Sequence, residues 1–114
     1  MRTLYCLKLE KGRYYVGETP KGRFERRLWE HDHGGAKWTT RFPVQGVVWT
    51  REVADGDIER EEDAANVAIM KRRGKNSCRG GSFNIGRDVY GMPRWAKDVY
   101  RNSWAQIEAS SGWG

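Results

Sequence analysis

The chain has 114 residues, 32% charged and 38% hydrophobic, with 21 Lys and Arg against 15 Asp and Glu for a net charge of +6. That length supports one hydrophobic core but not two. The cationic excess favours polyanionic partners, and no apolar run approaches the ~20 residues of a membrane-spanning helix.

Residues 1–4, Met1-Arg2-Thr3-Leu4, enter a strand pattern at once and leave no room for a secretory signal. Cys6 and Cys78 lack metal-type spacing and suit a reduced intracellular setting, cytoplasmic or nuclear, with Cys6 packing as a small hydrophobe. Two β-patterned runs, residues 5–9 and 13–18, flank Glu10-Lys11-Gly12 and predict a hairpin with one tyrosine, Tyr5 or Tyr15, on each strand. Residues 23–33 have helical spacing and end at Gly34-Gly35, a left-handed C-cap. Residues 36–43 read as a basic, aromatic loop. A third strand, 46–51, is the most apolar run. Asp57 is placed to cap a helix over 58–73, which Gly74 ends. Residues 75–91 show no periodicity. Pro93 then opens a last helix to about residue 109, with Trp95, Val99 and Ile107 as buried positions. The predicted class is α+β: a small three-stranded antiparallel sheet in the order β-β-α-β-α, flanked by helices, with an extra C-terminal helix.

Polar residues recur on the stripes that helices normally bury. In the first helix Phe24, Arg27, Leu28 and His31 fall at i, i+3, i+4 and i+7, which stacks a guanidinium and an imidazole beside two apolar side chains. Such groups need partners or must snorkel to water. In the second helix Ile58, Glu62, Ala65 and Ile69 share a stripe, which prefers Glu62 as the inward carboxylate and leaves Glu61 open; Glu59, Arg60 and Asp63 read as solvated charge. A lone carboxylate in a cleft suits Mg²⁺, which keeps several waters and takes phosphate oxygens as further ligands. Tyr14 alternates to the face opposite Tyr15. His33 reads as a surface residue, and most tryptophans, Trp49 especially, read as core.

Leu4-Tyr5-Cys6, Tyr15-Val16-Gly17, Arg27 with His31 four residues on, Glu62 after the third strand and Phe83-Asn84 resemble, in order and spacing, the motifs of the GIY-YIG nuclease family. Gly34-Gly35-Ala36-Lys37-Trp38-Thr39 is similar to the subgroup related to structure-specific repair endonucleases. Arg79-Gly80-Gly81-Ser82-Phe83 is similar to a tail of stand-alone members. The resemblance spans residues 4–84 and implies a nuclease domain over 1–84, with 85–114 as a helical extension packed on it. Two positions depart from the family pattern. Thr3-Leu4 stands for its first glycine and isoleucine, and Glu18 stands where many members carry a basic residue, so that it would repel phosphate or supply a different proton path.

The resemblance implies a metal-dependent endonuclease hydrolysing phosphodiester bonds in DNA, in repair, recombination or the processing of mobile or phage DNA. The alternative is a non-catalytic nucleic-acid-binding module of the same fold. It implies Mg²⁺ or Mn²⁺ on Glu62, Arg27 on the non-bridging phosphate oxygens, and Tyr5, Tyr15 or His31 as the group that positions or deprotonates water. Asn84, or Asn76 nearer the helix end, would hydrogen-bond near the site. Lys37, Arg41, Arg72, Arg73 and Lys75 are candidate backbone clamps, and Trp38 a candidate platform for an unpaired base. The expected partner is DNA, branched or single-stranded, with a homodimer or a protein partner to supply specificity.

Overall fold

A computed structural model describes residues 1–74 and 76–81. The predicted hairpin forms from β1 (Arg2–Leu9) and β2 (Tyr14–Pro20), joined by a tight turn over Glu10–Gly12 in which Lys11 and Gly12 both take positive φ. Then come α1 (Phe24–Asp32), α2 (Lys37–Arg41), β3 (Val44–Val53), α3 (Ile58–Arg73) and β4 (Cys78–Arg79).

The sheet has four strands in the order β3-β1-β2-β4. β1 runs antiparallel to both β2 and β3, while β4 runs parallel to β2, pairing Tyr14 with Cys78 and Tyr15 with Arg79. The sheet is therefore mixed, where the sequence predicts three antiparallel strands. The missed strand is two residues long in a glycine-rich stretch, too short to show alternation. β3, the most apolar run, proves to be an edge strand among the described residues, with Val47 and Val48 exposed.

Alternation along β1 and β2 divides the core in two. Leu4, Cys6 and Val16 pack with Ile58, Val67 and Met70 of α3 on one face. Tyr5, Leu7, Leu9 and Tyr15 pack on the other with Trp38, Phe42, Phe24 and Leu28 of the α1–α2 layer. Full burial of each large apolar side chain stabilises by ~1.5–3 kcal/mol, so both clusters matter to a chain of this size.

Several elements depart from expectation. The segment over 36–43 contains a helical turn, α2, because Trp38 and Phe42 are four apart and both bury against the sheet. The buried side of α3 is Ile58, Asp63, Asn66, Val67 and Met70, while Ala65 and Ile69 are only partly buried. Asp63 thus lies inside rather than in solvent, since the helix is rotated by about one residue from the apolar stripe. Asp57 precedes α3 without capping it through its side chain, which instead accepts from Arg60 at 3.1 Å. Gly34, with φ 87°, follows α1 as expected. Among the described residues no helix is long and apolar enough to cross a membrane. The helix predicted over 93–109, and the extension over 85–114, lie outside the described residues.

Candidate active site

The site begins with a cross-strand pair. Tyr5 of β1 stands opposite Gly17 of β2. A Cβ at position 17 would lie 2.5 Å from the Tyr5 hydroxyl and 2.7 Å from Cε1 of Tyr15, so only glycine admits the two rings there. Phe24 of α1 closes the other side, its ring centroid 5.2 Å from that of Tyr5. Helical spacing then brings His31 to the same point, and the Tyr5 hydroxyl meets His31 Nε2 at 2.7 Å.

The other partners of His31 fix its tautomer. Thr39 Oγ1 donates to the Ala36 carbonyl at 3.2 Å, so its oxygen is left to accept from His31 Nδ1–H at 3.1 Å. Nε2 therefore carries the lone pair and accepts from the Tyr5 hydroxyl. Burial, aided by the nearby Arg27 charge, lowers the imidazole from 6.5 to about 4. His31 is 2% exposed and neutral near pH 7.

Tyr15 packs its ring edge-on to His31, with centroids 4.6 Å apart and 6.3 Å from Tyr5. Burial raises both phenols above their ordinary value, with Glu62 adding to the rise and Arg27 opposing it. Arg27 is partly buried. Burial works against its charge, but Tyr5, Tyr15 and Glu30 more than offset that. Two of its contacts are long: Nη1 to Glu30 Oε1 at 3.3 Å and Nη2 to the Gly35 carbonyl at 3.4 Å. Such contacts are readily exchanged for a better acceptor.

Glu62 comes from α3, on the opposite face of the sheet, yet its charge is felt by both tyrosines. Burial raises its carboxyl from 4.5 to about 7, reinforced by Glu18, Asp63 and Glu59 and opposed by Arg2. Gly81, just past β4, lies against it: a Cβ there would be 2.8 Å from Glu62 Oε1 and 2.7 Å from Asp63 Oδ1. Glu61 turns away, its Oε2 accepting from Arg51 at 3.0 Å. Glu18 alternates to the face away from Tyr15 and is paired with Arg2.

The donor chemistry around Glu62 fits a hard divalent cation. Among the described residues no group of three or more His, Cys, Asp or Glu side chains could hold a metal. The fit is therefore to an ion held by one protein carboxylate, with water and phosphate oxygens completing its shell. A half-buried carboxyl raised by burial and then by neighbouring carboxylates is one whose charged form such an ion would relieve.

The structure thus gathers Tyr5, Tyr15, Arg27 and His31 on one face, with Glu62, from the other, acting electrostatically on the two tyrosines. The outer residues fare differently. Trp38 is fully buried, its Nε1–H donated to the Tyr14 carbonyl at 2.9 Å and Arg79 stacked over it at 4.8 Å, so it offers no surface to a base. Lys37 and Arg41 lie exposed on α2, on the Tyr5 face. Arg72 and Arg73 lie exposed at the end of α3, on the other face. Asn76 Oδ1 accepts from Arg79 at 3.0 Å. Asn84 and Lys75 lie outside the described residues. Sequence reasoning missed Thr39, which holds His31 from a neighbouring helix, and Phe24's contact with Tyr5. No periodicity marks Thr39, because its place depends on how residues 33–36 turn the chain.

Comparison with protein-family models, with curated proteins and with solved structures finds no match to this chain.

Proposed function

We propose that this chain is a divalent-metal-dependent endonuclease that hydrolyses phosphodiester bonds in DNA. One observation carries the reading: two hairpin tyrosines lie against His31 and respond both to the Arg27 cation on the same helix and to the raised carboxyl on α3. This combination supplies a proton acceptor, a fixed cation and a hard-oxygen ligand, the three parts that phosphodiester hydrolysis requires.

In this reading Arg27 binds the non-bridging oxygens and offsets the charge that builds at phosphorus. Glu62 would hold Mg²⁺ or Mn²⁺, which supplies Lewis acidity at the phosphate and stabilises the departing 3′ oxygen. His31 is neutral and bonded on both sides, and Tyr5 is equally buried. The attacking water therefore has to enter beside Arg27, the partly exposed partner of the Tyr5 hydroxyl, and His31 acts only through Tyr5. Tyr5 takes the proton of the attacking water as its own hydroxyl proton passes to His31 Nε2. A new P–O bond forms, the P–O3′ bond breaks, and the departing 3′ oxygen takes its proton from solvent water. Tyr15, beside Tyr5 and under the same Arg27 charge, orients the water. Burial alone makes a tyrosinate costly, so the His31 acceptor and the cations are needed together.

The test is cleavage of plasmid, flap and branched DNA with Mg²⁺ or Mn²⁺ and with EDTA, beside Glu62→Ala and Arg27→Ala. The expected result is metal-dependent nicking lost in both variants. Salt-sensitive DNA binding without cleavage by the wild type would overturn the enzyme and leave a binding module.

A further inference from the structure

On the face of the sheet away from Tyr5 and Tyr15, an open groove of about 620 Å³ runs between α3 and β3. It exists because Ala64, Ala65 and Ala68 end at Cβ where α3 faces Val48 and Trp49 of the edge strand. Four cations line it, Lys8, Arg51, Arg72 and Arg73, and no described lining residue is acidic. Two of them lie on aromatic rings: Arg51 over Trp49 at 5.4 Å and Arg73 over Tyr14 at 5.1 Å. A guanidinium held on a ring loses little freedom when its edge meets a phosphate in the ring plane. The Arg51–Glu61 ion pair is solvent-exposed and so exchanges readily.

We propose that this groove binds an unpaired nucleic-acid strand, with bases in the apolar trough stacked on the guanidinium planes that Arg51 and Arg73 hold over Trp49 and Tyr14, and phosphates on Lys8, Arg72 and the guanidinium edges of Arg51 and Arg73. The combination distinguishes a single strand from a duplex. A duplex presents phosphates and keeps its base faces stacked, so it has no use for an apolar floor. An unpaired strand presents both, and cationic grooves walled by aromatics are the usual answer to it. The groove contains none of Tyr5, Tyr15, Arg27, His31 or Glu62, so the inference stands apart from the proposed cleavage. If the chain does cut DNA, it favours substrates with a single-stranded arm.

Fluorescence anisotropy of the whole chain in EDTA tests this, using a labelled oligothymidylate of about twelve nucleotides and a duplex of equal length. The single strand is expected to bind more tightly, with log affinity falling against log salt at a slope of about −3, as four phosphate contacts imply. Arg72→Ala with Arg73→Ala should halve that slope and weaken binding about tenfold. Trp49→Leu should weaken it about tenfold through lost stacking. Ala68→Leu, at an exposed helical position where leucine is tolerated, fills the floor and should also abolish the preference for single strands. Circular dichroism confirms that each variant is folded. Equal affinity for strand and duplex, or wild-type binding by Ala68→Leu, would overturn the proposal. So would tight binding of an acidic amphipathic peptide that the oligonucleotide cannot displace. Oligonucleotide binding that survives Arg27→Ala and Glu62→Ala separates this groove from the cleavage site, whatever the outcome for cleavage.

Discussion

Protonating His31 should unfold this protein selectively on the acid side. The imidazole titrates at about 4 in the folded chain against 6.5 as its ordinary value. Because the folded pKa is the lower one, its contribution is fully present above 6.5 and is lost as pH falls towards 4. At pH 5 the unfolded chain has bound the proton and the folded chain has scarcely done so. At ~1.4 kcal/mol per pH unit the loss is about 2 kcal/mol, a large part of a small domain's stability. Glu62 works in the opposite direction over much of the same range, so the wild-type curve alone is ambiguous. The comparison that isolates His31 is urea unfolding of wild type and His31→Gln from pH 7 to pH 5, followed by circular dichroism. Glutamine can still accept from Tyr5 but does not titrate. The wild type should lose about 2 kcal/mol relative to the variant over that interval. Parallel curves, or a His31 ring proton that titrates near its ordinary value by NMR, would refute the buried neutral imidazole. The proton relay through Tyr5 would fall with it.

Gly17→Ala should destabilise by ~1–3 kcal/mol, since its Cβ has no room beside the Tyr5 hydroxyl, and should reduce cleavage by more than the loss of folded protein explains; an unchanged melting temperature would contradict the packing. Glu62, raised from 4.5 to about 7, contributes stability that is present below 4.5 and lost as pH rises through 7. Allowing for its partial exposure, Glu62→Gln should therefore be more stable than wild type at pH 8 by ~1–2 kcal/mol. Mg²⁺ should raise the wild-type melting temperature at pH 8, much less at pH 5, and not at all in Glu62→Gln; a variant less stable at pH 8, or indifferent wild type, would count against the carboxylate as ligand. Trp38→Ala should cost ~3–5 kcal/mol in denaturant unfolding, as an emptied core position does, whereas a Trp38 that mainly contacts DNA would leave folding intact and weaken binding alone.

The parts of the fold legible in the sequence are those whose signals are local. Alternation and a turn placed the hairpin, and the α3 limits follow from an acidic start and Gly74. The convergence of Arg27 and His31 beside Tyr5 follows from helical spacing. What escaped depends on contacts distant in the chain. β4 is a strand only because β2 lies beside it, and two residues carry no period of their own. Trp38 looked like a base platform because its neighbours Lys37 and Arg41 are basic, yet α2 turns the indole inward under Arg79. Asp63 looked solvated because charge near a helix start usually is. Glu61 is drawn outward to Arg51, a β3 side chain that sequence spacing does not bring to mind, while Glu62 lies against Gly81.

The pairing of β4 with β2 has a practical consequence for anyone dividing this protein. Gly80 lies against the carbonyl of Val16, and Gly81 against the carboxylates of Glu62 and Asp63. A boundary drawn at Gly74, where α3 ends so plainly, would strip the outer strand from the sheet and open Glu62 to bulk water. Shortened that way, the chain could keep its hairpin and helices while its acidic group reverted towards ordinary carboxylate behaviour, and an inactive fragment would say nothing about the intact molecule.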